Sequence, residues 1–264
     1  MAGVVEKLNP KKPDALSMKR DAQRGSKRGW TVQISEITLD EVKEDAVKFG
    51  LATEVLYQMN AGKEASIFLA LWNDHPIILK AFRFWNTSQA KKKKGFFAPG
   101  RMQVLAAKEF DLLSACFKAG MKVPTPIGRV GNYLTMRFIG DGLEPAPQLR
   151  SVQLEEPELV LYKILDDYLL MYRDAQYVHG DLSGYNILWW QDSPWIIDMP
   201  QACKVGPWSD MKNIVSLLRR DIVNVLSYFK KYGIRRDPDE ILDVFLKEYI
   251  PHNQKHFAEE VVRI

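Results

Sequence analysis

Cysteine is almost missing from this chain of 264 residues: only Cys116 and Cys203 occur, far apart, and a disulfide framework is excluded. Long apolar runs are missing too. None approaches the roughly 18 residues that a membrane-crossing helix needs, and the N-terminal stretch has no apolar core of the signal-peptide kind. The expected setting is a reducing cytoplasm, with no secretion signal and no membrane partner. Internal repeats and long low-complexity segments are also lacking. What remains is one large domain or a two-lobed unit, long enough to enclose a core.

What is present starts with charge. The formal net charge is +4, and it is unevenly placed. Residues 1–29 hold eight Lys or Arg against Glu6, Asp14 and Asp21, which leaves 29 basic and 30 acidic residues in the remainder. The basic character therefore belongs to an N-terminal tail, residues 1–30, expected to be solvated and disordered. Such a tail could hold RNA phosphates by counterion release.

Residues 38–50 read as a short helix, with Thr38 as cap, acids in the first turns and Gly50 just past the end. Three apolar segments follow at 52–58, 66–72 and 76–82, separated by Asn60-Ala61-Gly62 and Asn73-Asp74. They predict an antiparallel meander with Lys80 inside its third strand. Residues 102–119 have a helical stripe of Leu105, Leu112, Leu113 and Cys116, with Glu109 among them. An inward carboxylate needs a partner, and Lys80 is the candidate. Cys116 on that face is expected to be an inert packed thiol.

Two short strands are predicted at 127–130 and 133–138, then a Gly- and Pro-rich loop at 140–147. Pro157 fits the first turn of a helix whose stripe is Leu161, Ile164, Leu165, Tyr168, Tyr172 and Ala175. Ser209 is expected to cap another helix, with Met211, Ile214, Val215, Leu218, Ile222, Val225 and Phe229 inward, and Asp237-Pro238 opens a last one. Strands first and helices later predict an α+β, two-lobe layout.

The chemistry is concentrated in Val178-His179-Gly180-Asp181-Leu182-Ser183-Gly184-Tyr185-Asn186-Ile187-Leu188. Asp-x-x-x-x-Asn is the spacing of a phosphoryl-transfer loop: Asp181 can accept a hydroxyl proton while Asn186 offers an oxygen to Mg²⁺. A hairpin follows, with strands at 187–190 and 195–197 about a turn at Gln191-Asp192-Ser193-Pro194, and it would return Asp198 beside Asn186. Asn plus Asp with a phosphate oxygen is the hard, partly hydrated donor set that Mg²⁺ prefers. The bland alternative is a hairpin whose Asn and Asp merely satisfy turn backbone. Lys80 and the inward Glu109 upstream, in the order that phosphoryl transfer needs, argue against it. His179 is expected to pack and bond backbone, and Trp189, Trp190 and Trp195 to form the hairpin core. Asp221 could brace the loop from below or pair with a nearby Arg. Lys91–Lys94 is expected to be a solvated run.

These residues resemble the RIO family of atypical serine/threonine protein kinases. The likeness lies in His179-Gly180-Asp181-Leu182-Ser183-Gly184-Tyr185-Asn186 and in Ile197-Asp198-Met199-Pro200-Gln201. Gly62-Lys63-Glu64-Ala65 is similar to the RIO nucleotide loop, and Leu218-Arg219-Arg220-Asp221 to the type-one branch. The resemblance implies a two-lobed kinase fold, truncated relative to ordinary protein kinases. Its N-lobe (31–138) would be a small antiparallel sheet with one main helix, and its C-lobe (139–264) mostly helical.

The resemblance further implies that Asp181 takes the proton, that Lys80 holds ATP phosphates while paired with Glu109, and that Lys63 belongs to the nucleotide loop. Asn186 and Asp198 would bind Mg²⁺, and Asp198 could also carry an aspartyl-phosphate in an ATPase cycle. Met136 to Ile139 would form the hinge, with the Ile139 backbone meeting adenine. The implied partners are ATP, protein substrates including the chain itself, and a small-ribosomal-subunit precursor. Two departures stand out: Asn60-Ala61 replaces the usual Ser-Thr, and Arg137 stands where the hinge usually has Glu. Only residues 199–208 separate Asp198 from the next predicted helix, too few for the long activation segment that holds a peptide in ordinary protein kinases. Two other functions fit in part. An aminoglycoside-type small-molecule kinase lacks support because Met199-Pro200-Gln201 has no Gly-Asp-Pro pattern, and the other is a nucleotide-switched assembly factor with little phosphoryl transfer.

Overall fold

The computed structural model describes residues 32–34, 38–61, 65–82, 85–87 and 100–254. The basic tail, Lys63 and Lys91–Lys94 lie outside them. The chain divides into two compact units, residues 1–107 with 128–135, and residues 108–127 with 136–264.

The first unit is built on antiparallel ladders. Strand β1 (Val32–Ile34) and helix α1 (Leu39–Lys48) are followed by β2 (Glu54–Ala61), β3 (Ala65–Trp72), β4 (His75–Phe82) and β5 (Trp85–Thr87). Helix α1 starts at a complete capping box: Thr38 accepts the Glu41 N–H, and the Glu41 carboxylate accepts the Thr38 N–H at 2.9 Å. Asn73 and Asp74 both have positive φ, 47° and 65°, the conformation a two-residue hairpin turn demands. The other expected turn differs, because β2 runs on through Asn60 and Ala61, which pair with Ile67 and Ser66. Strand β1 pairs with β5.

Strands β6 (Pro126–Val130) and β7 (Tyr133–Arg137) complete a five-stranded sheet of order β2-β3-β4-β7-β6. Alternation along the strands sets two faces. Phe68, Ala70, Ile77, Leu79 and Ala81 pack in one core with Val42 and Ala46 of α1. Tyr133 joins that core and donates its hydroxyl to Asp45 at 2.7 Å. Lys80, between Leu79 and Ala81, is carried to the other face; it is buried, with its ammonium 5.3 Å from the Phe82 ring centre.

Helix α2 (Gly100–Lys118) is followed by a turn that closes at Gly120, φ 88°. Its buried stripe includes Met102, Ala106, Glu109, Leu112, Leu113 and Cys116. Burial pushes the Cys116 thiol up to about 12, which leaves it protonated and inert.

The second unit carries the rest. The expected loop at 140–147 contains a small hairpin, β8 (Gly140–Asp141) with β9 (Glu144–Pro145). Helix α3 (Pro157–Arg173) follows, then β10 (Tyr177–Val178), β11 (Ile187–Trp190), β12 (Ser193–Ile196), β13 (Cys203–Lys204), α4 (Met211–Phe229) and α5 (Pro238–Glu248). The three helices pack on one another through Leu161, Ile164, Tyr168, Tyr172, Ile222, Val225, Phe229 and Phe245, all buried. Each such side chain contributes about 1.5–3 kcal/mol on leaving water. Leu165 and Val215, expected inward, are only partly covered. The cap of α4 is Asp210, which accepts the N–H groups of Lys212 and Asn213. Ser209, expected in that role, bonds instead to the Lys204 carbonyl and the Gly206 N–H.

Candidate active site

The loop between β10 and β11 holds Asp181 and Asn186, and local pairing fixes its two ends. Strand β10 pairs with β13 (Val178 opposite Cys203), and β11 pairs with β12 (Ile187 opposite Ile196). The β11–β12 turn consists of Gln191 and Asp192 alone, at φ 49° and 51°. Ser193 and Pro194, expected in the turn, open β12 instead. Pro194 is tolerated because this two-stranded ribbon leaves an outer edge that needs no N–H. Past the ladder, the Ile197 N–H donates to the Asn186 carbonyl at 2.9 Å, so Asp198 is the next residue after that contact. Asp198 sits at φ 57°, a left-handed position that Asp tolerates better than most residues.

Asn186 donates its amide nitrogen to the Asp181 carbonyl oxygen at 2.8 Å and reaches the Asp181 carboxylate at 3.4 Å. Asp181 is exposed, as its proposed work on an incoming hydroxyl would require. His179 is fully buried and ties the loop internally. Its Nδ1 accepts the Asp181 N–H at 3.2 Å, so Nε2 carries the hydrogen and donates to the Ile197 carbonyl at 3.2 Å. Burial lowers its pKa, and the ring stays neutral. It therefore links the residue before Asp198 to the backbone of Asp181, the backbone-bonding role expected of it.

Beneath the loop, Asp221 of α4 is fully buried. It accepts the Gly180 N–H at 2.7 Å, the Leu182 N–H at 3.1 Å and the Tyr168 hydroxyl at 2.6 Å. Burial pushes its carboxyl up, while those three bonds and His179 pull it down. The neighbouring Arg220 donates to the Gly180 carbonyl. Asp221 is thus the brace, and Arg220 grips the same loop. A signal was available for Asp221: it falls three residues after Leu218 and four before Val225, inside the apolar stripe of α4. Gly180 has φ 78°, and a Cβ there would come 2.7 Å from the Gln201 carbonyl oxygen, so only glycine fits.

The hinge candidates Met136 and Ile139 are buried in the second unit. The Ile139 carbonyl accepts the Ala146 N–H at 3.0 Å. Arg137, between them, stacks its guanidinium against Trp190 and Trp195 at 5.1 and 5.2 Å. Glu109 is buried in the second unit and Lys80 in the first.

Comparison with known proteins settles the family. The sequence model of the RIO domain matches residues 80–241. The chain belongs to the RIO family of serine/threonine protein kinases. It is 37% identical over 145 residues to the RIO-type serine/threonine-protein kinase Rio1 of Thermoplasma acidophilum, covering 55% of this chain and 74% of that protein. It is 31% identical over 211 residues to the Rio2 kinase of Methanocaldococcus jannaschii, covering 75% of each. Among solved structures, the Rio2 kinase–ADP/Mg²⁺–phosphoaspartate complex of Chaetomium thermophilum superposes with a TM-score of 0.60 at 18% identity, over 88% of this chain and 75% of that one. The fold is the two-lobed RIO fold.

Among the described residues no group of three or more His, Cys, Asp or Glu is placed to hold a metal. The candidates are instead one amide, Asn186 of the β10–β11 loop, and one carboxylate, Asp198 just past β12. With its nitrogen engaged by Asp181, Asn186 keeps its oxygen for a cation. That donor set fits Mg²⁺, which keeps several waters and takes only a few protein oxygens.

Proposed function

We propose that this chain transfers the γ-phosphoryl group of ATP to a serine or threonine hydroxyl, its own chain among the acceptors. The Asn186 side chain carries this reading: one amide group is bonded to Asp181 by its nitrogen and keeps its oxygen for a metal. Asp181 would take the proton of the attacking hydroxyl. Asn186 and Asp198 would hold Mg²⁺, which when bound neutralises charge on the phosphates. Lys80 would hold ATP phosphates with Glu109 as its partner, and Lys63 would belong to the nucleotide loop. Met136 and Ile139 would meet adenine through backbone. Since the Ile139 carbonyl is already bonded to Ala146, its N–H is the group proposed for that contact.

Hydrolysis is the second reading, favoured by the exposed Asp198 at φ 57°. The γ-phosphoryl group would pass to the Asp198 carboxylate, releasing ADP, and water would then free phosphate and restore the carboxylate. The Chaetomium Rio2 structure is described as a phosphoaspartate complex, which supports that route. The RIO resemblance also suggests a small-ribosomal-subunit precursor as partner, with the tail of residues 1–30 touching RNA, and a cytoplasmic setting. No helix among the described residues is long and apolar enough to cross a membrane.

The test is incubation with γ-labelled ATP and Mg²⁺, with Asp181→Asn and Asp198→Ala as controls. Autophosphorylation or phosphate release lost in both supports the proposal. Turnover only with an added small hydroxyl compound would favour a small-molecule kinase. Nucleotide binding without any turnover would leave a nucleotide switch.

A further inference from the structure

Beside Asp181 the second unit carries a basic and aromatic platform that phosphoryl transfer does not use. Tyr185, four residues after Asp181, is 57% exposed. The Arg150 guanidinium lies over its ring, 4.0 Å from the centre. The Arg150 N–H donates to the Gly184 carbonyl at 3.2 Å, which ties this pair to the loop. Tyr228 packs so closely on Gly184 that a Cβ there would come 3.2 Å from its ring. The Tyr228 hydroxyl is anchored on the Leu149 carbonyl at 2.7 Å, and the Tyr232 hydroxyl accepts the Leu154 N–H at 3.1 Å. Lys231 then lies over both rings, 4.1 and 4.9 Å from their centres.

Arg150 and Lys231 are both exposed, and their neighbours are rings. The exposed Arg173, Arg219 and Arg236 each have a carboxylate partner. Among the described residues, neither Arg150 nor Lys231 has one. Arg150 gives its Nε to Gln148 at 2.8 Å, so its terminal nitrogens remain for an anion. The rings are already stacked by the chain's own cations, so the platform offers positive charge more than a face for a nucleic-acid base. Only residues 199–209 separate Asp198 from the Asp210 cap of α4, too few for a long peptide-holding segment, which turns attention to other surfaces of this unit.

We propose that Arg150, Tyr185, Tyr228 and Lys231 dock an acidic segment of the protein acceptor and so present a nearby serine or threonine to Asp181. This rests on the phosphotransferase reading of Asp181. The substrate class is a hydroxyl-bearing peptide flanked by Asp, Glu or phosphoserine.

The test is fluorescence anisotropy of a labelled peptide of alternating Ser and Asp, titrated with the intact chain without nucleotide at low and high salt. Binding is expected to weaken with salt, and roughly tenfold or more in Lys231→Glu and in Arg150→Gln. Lys43→Glu, the same charge reversal on exposed α1, should leave affinity unaltered. Lys231 is exposed, lying over the Tyr228 and Tyr232 rings and reaching the Tyr232 hydroxyl, so its variant stays informative if Arg150→Gln misfolds. Three outcomes overturn the platform: no binding by the unaltered chain, equal loss in Lys43→Glu and Lys231→Glu, or displacement of the peptide by single-stranded RNA that binds more tightly and whose affinity itself falls in Lys231→Glu. ATP turnover measured on the same samples, and its loss in Asp181→Asn, reports separately on the phosphotransferase reading.

Discussion

The Asp221 carboxylate accepts the Gly180 N–H at 2.7 Å, and Arg220 beside it donates to the Gly180 carbonyl. One turn of α4 therefore grips both polar groups of the residue before Asp181. Asp221→Ala would leave the Gly180 and Leu182 N–H groups and the Tyr168 hydroxyl buried without acceptors. The expected cost is about 3 kcal/mol or more in urea unfolding, together with a fall in kcat. A loss below about 1 kcal/mol would show that water replaces the carboxylate.

Gly180→Ala is expected to destabilise by more than Gly233→Ala. Both glycines have φ near 77°, but a Cβ at Gly233 meets nothing within 4 Å. The Gly233 change should cost about 1 kcal/mol for backbone strain alone. At Gly180 the collision with the Gln201 carbonyl adds to that, and the difference between the two melting curves isolates it.

Asn186→Asp replaces a donor to Asp181 with a second carboxylate. The 2.8 Å bond to the Asp181 carbonyl is lost, and like charges meet at the 3.4 Å contact. Turnover of ATP should fall roughly 10²-fold or more, and a Mg²⁺ titration should not restore it. Full recovery at high Mg²⁺ would assign Asn186 to metal affinity alone.

Acid should loosen the loop through His179. Its native pKa is below the ordinary 6.5 because of burial. As pH falls through 6.5 the unfolded chain takes the proton and the folded chain does not, so stability is present above 6.5 and is lost on acidification. Asp167, pushed up to about 6 by burial, works with the opposite sign: its contribution grows as pH falls from about 6 toward 3.8. The useful quantity is therefore the difference between the unaltered chain and His179→Gln. That difference should shrink between pH 7.5 and 5.5; a constant gap would contradict a buried neutral His179.

Arg137→Glu should remove both stacking contacts to Trp190 and Trp195, at a cost of about 1–2 kcal/mol. Tryptophan emission should shift to the red as the hairpin face opens to water. An unchanged spectrum and melt would show that the stack contributes nothing.

Much of the candidate site was legible because it is local in the chain. Asp181 and Asn186 lie five residues apart, and a two-residue turn of Gln191 and Asp192 suffices to return Asp198 to the end of the same ribbon. The errors were also local. Pro194 and Asn60 carry turn propensity, but a ribbon edge and a paired strand overrode it. Ser209 and Asp210 are both good caps, and only the backbone path decides which one meets the helix N–H groups.

By itself the sequence determined the RIO motifs, the apolar stripes and the order of strands and helices, because each rests on spacing of a few residues. Tertiary structure alone decided the work of Asp221, of Arg220 and of Arg137 against the tryptophans. Asp221 lies 41 residues from Gly180 and Arg137 lies 53 from Trp190. No local periodicity encodes such pairs. Packing α4 under the loop buries Asp221 with the Gly180 N–H, and buried polar groups must find one another. The exposed Arg137 meets the tryptophan rings because the fold sets the end of β7 beside the β11–β12 ribbon.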